Sequence, residues 1–291
     1  MKLSALADKR EQEFMAMKTL RKDDVDQVFI EPAREISFDE MLREERAPGP
    51  AFKLELDAER LGLCLAHFIA LLFVGHIVCK AAFYGFGVTA HRHLLNLFDL
   101  DEERNISSLY SAAALLFSSG LLYMVARSER QRRQPSAAWM ILAMVFAFLA
   151  ADEAVSIHEY VHLGGYPQSG FLYYTWVIPY GLIAAGLALL YLPFLKRLPN
   201  RICTLFVVSG LIYVGGAIGC EIIGGLVIQS MGRYTLAYEL EILCEETMEM
   251  SGIALFIYAI ISHIQAEFPG TNVRASFGPR RRTNHVRRAS I

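Results

Sequence analysis

The chain has 291 residues, 54% of them apolar and 20% charged, a formal net charge of −2 and a mean hydropathy of +0.33. It is too hydrophobic and too unevenly patterned for an ordinary soluble domain, and a balance this close to neutral gives no basis for binding nucleic acid. The composition is that of a multi-pass membrane protein.

Residues 1–58 are polar and mixed in charge. Ser37-Phe38-Asp39-Glu40 opens a short predicted helix, and Ala47-Pro48-Gly49-Pro50 breaks the chain before the first apolar run. This segment reads as a cytoplasmic arm, and it lacks the features of a cleaved secretory leader. About 20 largely apolar residues are needed per bilayer crossing. By that criterion six spans follow, near 61–83, 108–126, 138–158, 174–195, 202–226 and 242–263. The fold class is therefore all-α: a polytopic bundle of about six transmembrane helices over 59–265, followed by a basic tail over 266–291.

Arginine and lysine concentrate in alternate connections. Arg127, Arg130, Arg132 and Arg133 follow span two, Lys196, Arg197 and Arg201 follow span four, and Arg280, Arg281, Arg282, Arg287 and Arg288 lie in the tail. By the positive-inside rule both termini face the cytoplasm (N-in/C-in), in a bacterial inner or plasma membrane. The expected partners are the lipid bilayer and, at the tail, anionic headgroups. Cys64, Cys79, Cys203, Cys220 and Cys244 lie in or beside spans without Cys-x-x-Cys spacing, which fits packing rather than a disulfide framework. In span five, Gly215-x-x-x-Gly219 permits close helix approach and suggests a helix buried among the others.

The chemical signal is Ala151-Asp152-Glu153-Ala154-Val155-Ser156-Ile157-His158-Glu159-Tyr160-Val161-His162, at the end of span three. His-Glu-x-x-His on a helix sets two imidazoles one turn apart as zinc ligands, with the intervening Glu159 as general base. Span six runs back from the same side of the membrane and carries Glu239, Glu241, Glu245, Glu246 and Glu249, while span five brings Glu221. At about 1.5 Å per residue, Asp152 and Glu249 each lie roughly 9 Å inside their helix ends, so they share a depth. Asp99, Asp101, Glu102 and Glu103 in the first connection could cover the cluster. Intramembrane acids are costly unless paired, protonated or bound to a cation, so the cluster marks a functional site. The candidate metal ligands are Asp152, His158, His162, Glu221, Glu245, Glu246 and Glu249, with Glu159 catalytic. The metal would be zinc or a di-metal iron or manganese centre, since Glu159-x-x-His162 is also the unit of four-helix di-iron proteins. His67 and His76, by contrast, read as helix-packing residues.

Over about ten residues the motif resembles gluzincin-type metallopeptidases, which implies His158 and His162 as ligands, Glu159 as base and a third ligand among Glu245, Glu246 and Glu249. A longer resemblance runs through Phe98-Asp99-Leu100, Asn105, Tyr110-Ser111, Asp152-Glu153-x-x-Ser156-Ile157-His158-Glu159 and Glu245-Glu246-x-x-Glu249-Met250. It is to a family of uncharacterised bacterial multi-pass membrane proteins, and it implies architecture rather than activity. The expected function is a membrane protein with a metal-dependent, hydrolase-like site near the outer face. The alternatives are a proton- or cation-coupled transporter, or a structural membrane protein whose His and Glu side chains fix helix register.

Overall fold

Long apolar runs free of charge become helices here because, in lipid, only a helix satisfies every backbone N–H and C=O within its own segment. The computed structural model describes residues 53–54, 57–86, 96–102, 105–161, 169–268 and 273–274. The arm with its Ser37 helix and most of the basic tail lie outside these residues. One compact unit, Leu54–Val273, holds all the described helices.

Six helices are long and apolar enough to cross a membrane. They are α1 (Ala58–Phe86), α2 (Ile106–Gln131), α3 (Ala137–Val155), α4 (Val177–Leu195), α5 (Asn200–Met231) and α6 (Leu236–Glu267). Two-residue strands, Lys53–Leu54 and Val273–Arg274, pair with each other. Local chemistry sets several boundaries. Asn105 caps α2 by accepting from the Ser108 N–H, while Ser108 Oγ accepts from the Asn105 N–H. Thr235 accepts from the Tyr238 N–H at the start of α6.

The central helix is α6. Of its most apolar stretch 56% is buried, against 22% for α5 and 6% for α4. The expectation that glycine-rich α5 is the buried helix is thus corrected: glycine lets a neighbour approach but contributes no side chain to a core. α6 packs against α1, α2 and α5, α2 packs against α3, and α4 stands at the edge. Met250, Ile253, Ile257, Ile260 and Ile261 form its buried stripe. Farther along α6, Phe256 stacks on Phe146 near the middle of α3 and meets Phe206, with centroids 4.4 and 4.8 Å apart.

A further expectation changes. Close contact between α5 and α6 is made by Gly216 and Gly224 together with Gly215, where a Cβ would lie 3.0 Å from Met248 Cε, and not by Gly219. A Cβ on Gly216 would lie 2.9 Å from the Glu245 carbonyl oxygen, whereas one on Gly219 would meet nothing within 4 Å. The reason is that Gly215–Cys220 is a π-helical segment, which breaks the four-residue register. On the other side of the interface, Gly252 of α6 lies against the backbone of Tyr213, where a Cβ would be 2.7 Å from its nitrogen.

Candidate functional site

The ends of α3 and α5 and the starts of α4 and α6 gather at one end of the bundle. α3 does not run on through the His-Glu-x-x-His stretch. It stops at Val155, Ser156 turns into the left-handed region (φ 53°, ψ 50°), and His158–Tyr160 form a 3-10 turn. Asp152 causes the stop. Its carbonyl accepts the N–H groups of Ser156 and Ile157, and its carboxylate accepts the His158 backbone N–H at 2.9 Å. The expected helical placement of His158, Glu159 and His162 along one face is therefore corrected for His158 and Glu159, and His162 lies outside the described residues.

The turn builds a different unit. Asp152 Oδ2 lies 3.1 Å from His158 Nδ1, and Asp152 Oδ1 accepts the Tyr180 hydroxyl of α4 at 2.9 Å. A carboxylate on Nδ1 fixes the imidazole tautomer and leaves Nε2 as the nitrogen suited to a cation or a proton. The ring lies against Trp176, centroids 4.7 Å apart. Trp176 and Tyr180 were not legible as site residues: tryptophan and tyrosine near a span end read first as interfacial anchors.

Opposite this unit, Glu221 of α5 meets α6. Glu241, Glu245 and Glu249 form an i, i+4, i+8 stripe, and the first two are buried. Glu221 faces Glu245 and the Trp176 indole, with His158 and Glu159 near it. Gly224 makes room for the Glu241 carboxylate, whose Oε2 would lie 2.6 Å from a Cβ there. Both Glu241 oxygens are buried without a hydrogen-bond partner. Among the described residues no lysine or arginine forms a salt bridge with Glu221, Glu241 or Glu245. Glu246 accepts the Ser107 hydroxyl of α2 at 3.1 Å.

The first connection folds back on α1 and α6. Lys80 Nζ lies 3.0 Å from Asp99 and 2.9 Å from Glu239, and the Leu100 N–H donates to His76 Nδ1 at 3.0 Å. His76 is buried, but acids distant in sequence surround it: Nδ1 lies 3.6 Å from Asp99 and Nε2 3.8 Å from Glu239. Asp101 accepts the Tyr238 hydroxyl at 2.9 Å and lies 3.8 Å from Arg233. Burial pushes the Asp101 carboxyl above its ordinary range, against the opposing pull of Tyr238 and Arg233.

Many of these groups, though not Glu241, Lys80, Asp99, Glu239 or His76, border one cavity of about 800 Å³. Asp152, His158, Glu159, Glu221, Glu245 and Glu249 line it at one end, and Phe194, Phe206 and Phe256 at the other. Imidazole and carboxylate donors suit zinc, manganese or iron. Among the described residues, however, no group of three or more His, Cys, Asp or Glu side chains is disposed to hold a metal ion.

No curated protein and no solved structure matches the chain. A family model described as a domain of unknown function, DUF8692, matches residues 64–264, from within α1 to within α6, and so takes in every described residue of the carboxylate–histidine cluster. The chain is a membrane-type helical protein that belongs to this uncharacterised family.

Proposed function

We propose that this is an integral membrane protein whose carboxylate–histidine cluster forms a metal-dependent, hydrolase-like site opening toward the outer face, with both termini in the cytoplasm. The observation that carries the reading is the Asp152–His158 contact at 3.1 Å beside Glu221 and the α6 glutamates. A carboxylate behind an imidazole is the usual outer-shell support of a metal-binding histidine. His158, Glu221 and Glu245 would hold the ion, with Asp152 as a positioning residue and Glu159, exposed at the cavity rim, as the base. When bound, the metal would lower the pKa of a bound water toward neutrality.

The test is elemental analysis of the purified full chain beside His158→Ala and Glu221→Gln/Glu245→Gln variants of matched thermal stability. About one or two equivalents of zinc, iron or manganese, lost in the variants, are expected. Absence of metal in the parent protein after growth and purification with each metal supplied would overturn the reading.

A second reading, proton- or cation-coupled transport, is favoured by one observation. Glu221, Glu241 and Glu245 adjoin one another, and among the described residues no lysine or arginine forms a salt bridge with them. Such a group can take up protons or a monovalent ion. Metal-free protein that acidifies proteoliposomes, and loses this in Glu241→Gln, would select it.

A further inference from the structure

The π-helical segment of α5 ends on Cys220, and α6 carries Cys244 and Met248 one turn apart, so that both lie on one face of that helix. The three sulfurs converge. Cys220 Sγ lies 3.9 Å and Cys244 Sγ 3.8 Å from Met248 Sδ, and the two thiols also interact with each other. The Met248 side chain is seated on glycine: a Cβ on Gly216 would lie 3.1 Å from its Cβ, and one on Gly215 3.0 Å from its Cε. The segment that brings Cys220 thus also fixes the thioether beside it.

Three sulfurs held about 2.3 Å from a common ion, in one plane with it, stand about 4 Å from one another. The separations of 3.9 and 3.8 Å match two edges of that triangle. Thiolate and thioether are soft donors and select Cu(I) over hard cations. A structural zinc ion takes four ligands. Among the described residues no third His, Cys, Asp or Glu joins the two thiols to supply them. Cys244 and Met248 line a groove of about 320 Å³ with Phe73 of α1, Ile212 of α5 and Leu240 and Leu243 of α6. Among the described residues no charged side chain borders this groove. Cys244 is exposed and Cys220 buried, so an ion would enter past Cys244. A divalent ion would keep excess charge in such surroundings, whereas Cu(I) in place of one thiol proton leaves a neutral centre.

We propose that Cys220, Cys244 and Met248 bind one Cu(I) ion between α5 and α6. One S–H bond gives way to a sulfur–copper bond and its proton passes to water. The second thiol and the thioether donate lone pairs, and copper stays cuprous throughout. The site shares no ligand with the carboxylate–histidine cluster and does not depend on the reading of that cluster. Cys220 and Cys244 directly precede Glu221 and Glu245 in sequence, so the ion ties α5 to α6 at the level of the acids.

The experiment titrates the full chain, purified in detergent under reducing, anaerobic conditions, with Cu(I) buffered by a chromogenic chelator. One equivalent is expected to bind, and X-ray absorption is expected to show sulfur neighbours alone, at about 2.3 Å. Cys220→Ser and Cys244→Ser are each expected to lower the affinity by about a hundredfold or more, because even outer-shell partners of a metal are worth about 10–100-fold. Met248→Leu conserves volume and is expected to cost about tenfold or more, which decides the matter should a serine variant fail to fold. Cys203→Ser is expected to leave Cu(I) binding unchanged. So is His158→Ala, which removes a ligand of the proposed hydrolase site and lets the two sites fail separately. A parent protein that binds no Cu(I) with both thiols reduced would overturn the proposal. Affinity unchanged in folded Met248→Leu and Cys244→Ser proteins, or nitrogen and oxygen neighbours around the bound copper, would do the same.

Discussion

Asp152 and Tyr180 join α3 to α4: the Tyr180 hydroxyl donates at 2.9 Å to the carboxylate oxygen that also accepts the His158 backbone N–H. One carboxylate therefore ends α3, orients the imidazole and anchors α4. Tyr180→Phe is expected to cost about 0.6 kcal/mol, the usual size of an interhelical hydrogen bond in a membrane protein. The melting temperature should drop by roughly 2 °C, followed through Trp176, whose ring lies 5.2 Å from that of Tyr180. An unchanged melting curve in both Tyr180→Phe and Tyr191→Phe would mean that α4 is held by other contacts.

The glycines of the α5/α6 interface should separate into two groups. At Gly252 a Cβ would lie 2.7 Å from the Tyr213 backbone nitrogen, and at Gly216 2.9 Å from the Glu245 carbonyl oxygen; neither is an atom that can swing aside. Gly252→Ala and Gly216→Ala are expected to destabilise by about 1–3 kcal/mol through forced helix separation. Gly210→Ala, with open space at its Cβ, should be neutral or gain up to about 1 kcal/mol of helix propensity. Thermal unfolding of the three variants in one detergent is the check, and equal effects would contradict the close approach.

Glu241 is expected to be kept at a cost in stability. With both carboxylate oxygens buried and unpartnered, Glu241→Leu should raise the melting temperature of chelator-treated protein, by a free energy of about 1–3 kcal/mol. A lower melting temperature would show that the carboxylate has a stabilising role that its surroundings do not reveal.

Lys80 bridges two carboxylates, at 3.0 Å from Asp99 and 2.9 Å from Glu239. Lys80→Met would leave those acids facing each other near His76, and the expected loss is about 3 kcal/mol. Adding Asp99→Asn and Glu239→Gln to Lys80→Met should recover most of it. The triple variant separates the cost of stranded charge from the loss of a bridge, because only the former is relieved.

The raised Asp101 pKa has a defined sign. The folded carboxyl binds its proton more tightly than the unfolded one, whose ordinary value is 3.8. The folded state therefore carries more protons in the window just above 3.8, and the stability this group contributes is lost as pH rises through the folded value. Asp101→Asn, which keeps an acceptor for Tyr238, should flatten that part of the melting temperature's pH dependence. An identical pH profile in parent and variant would count against the burial of Asp101.

The six crossings were legible because apolar runs such as 68–75 in α1 and 182–192 in α4 leave no alternative to helix in lipid. The acid stripe of α6 was legible because its four-residue spacing survives in an unbroken helix. What periodicity could not reveal was the end of α3. That end depends on Asp152 capturing the N–H groups that follow it, and a helical projection of His158 and Glu159 assumes the very hydrogen bonds that Asp152 replaces. Nor could spacing identify Tyr180 and Trp176, which reach the site only because α4 folds back along α3. The choice of buried helix failed for a related reason: small residues signal where backbones meet, not which of the two helices is enclosed.

The π-helical segment Gly215–Cys220 sets the phase of everything after it in α5. Such a segment amounts to one residue inserted into an α-helix. Deleting a single residue there, for instance Gly219, would restore ordinary winding and turn Glu221 through about 100° about the helix axis. The carboxylate would then face away from Glu245 while the sequence on either side stayed the same. The orientation of a charged group is thus encoded by chain length in a stretch half made of glycine, so that a one-residue gap at this point would matter more than many substitutions around it.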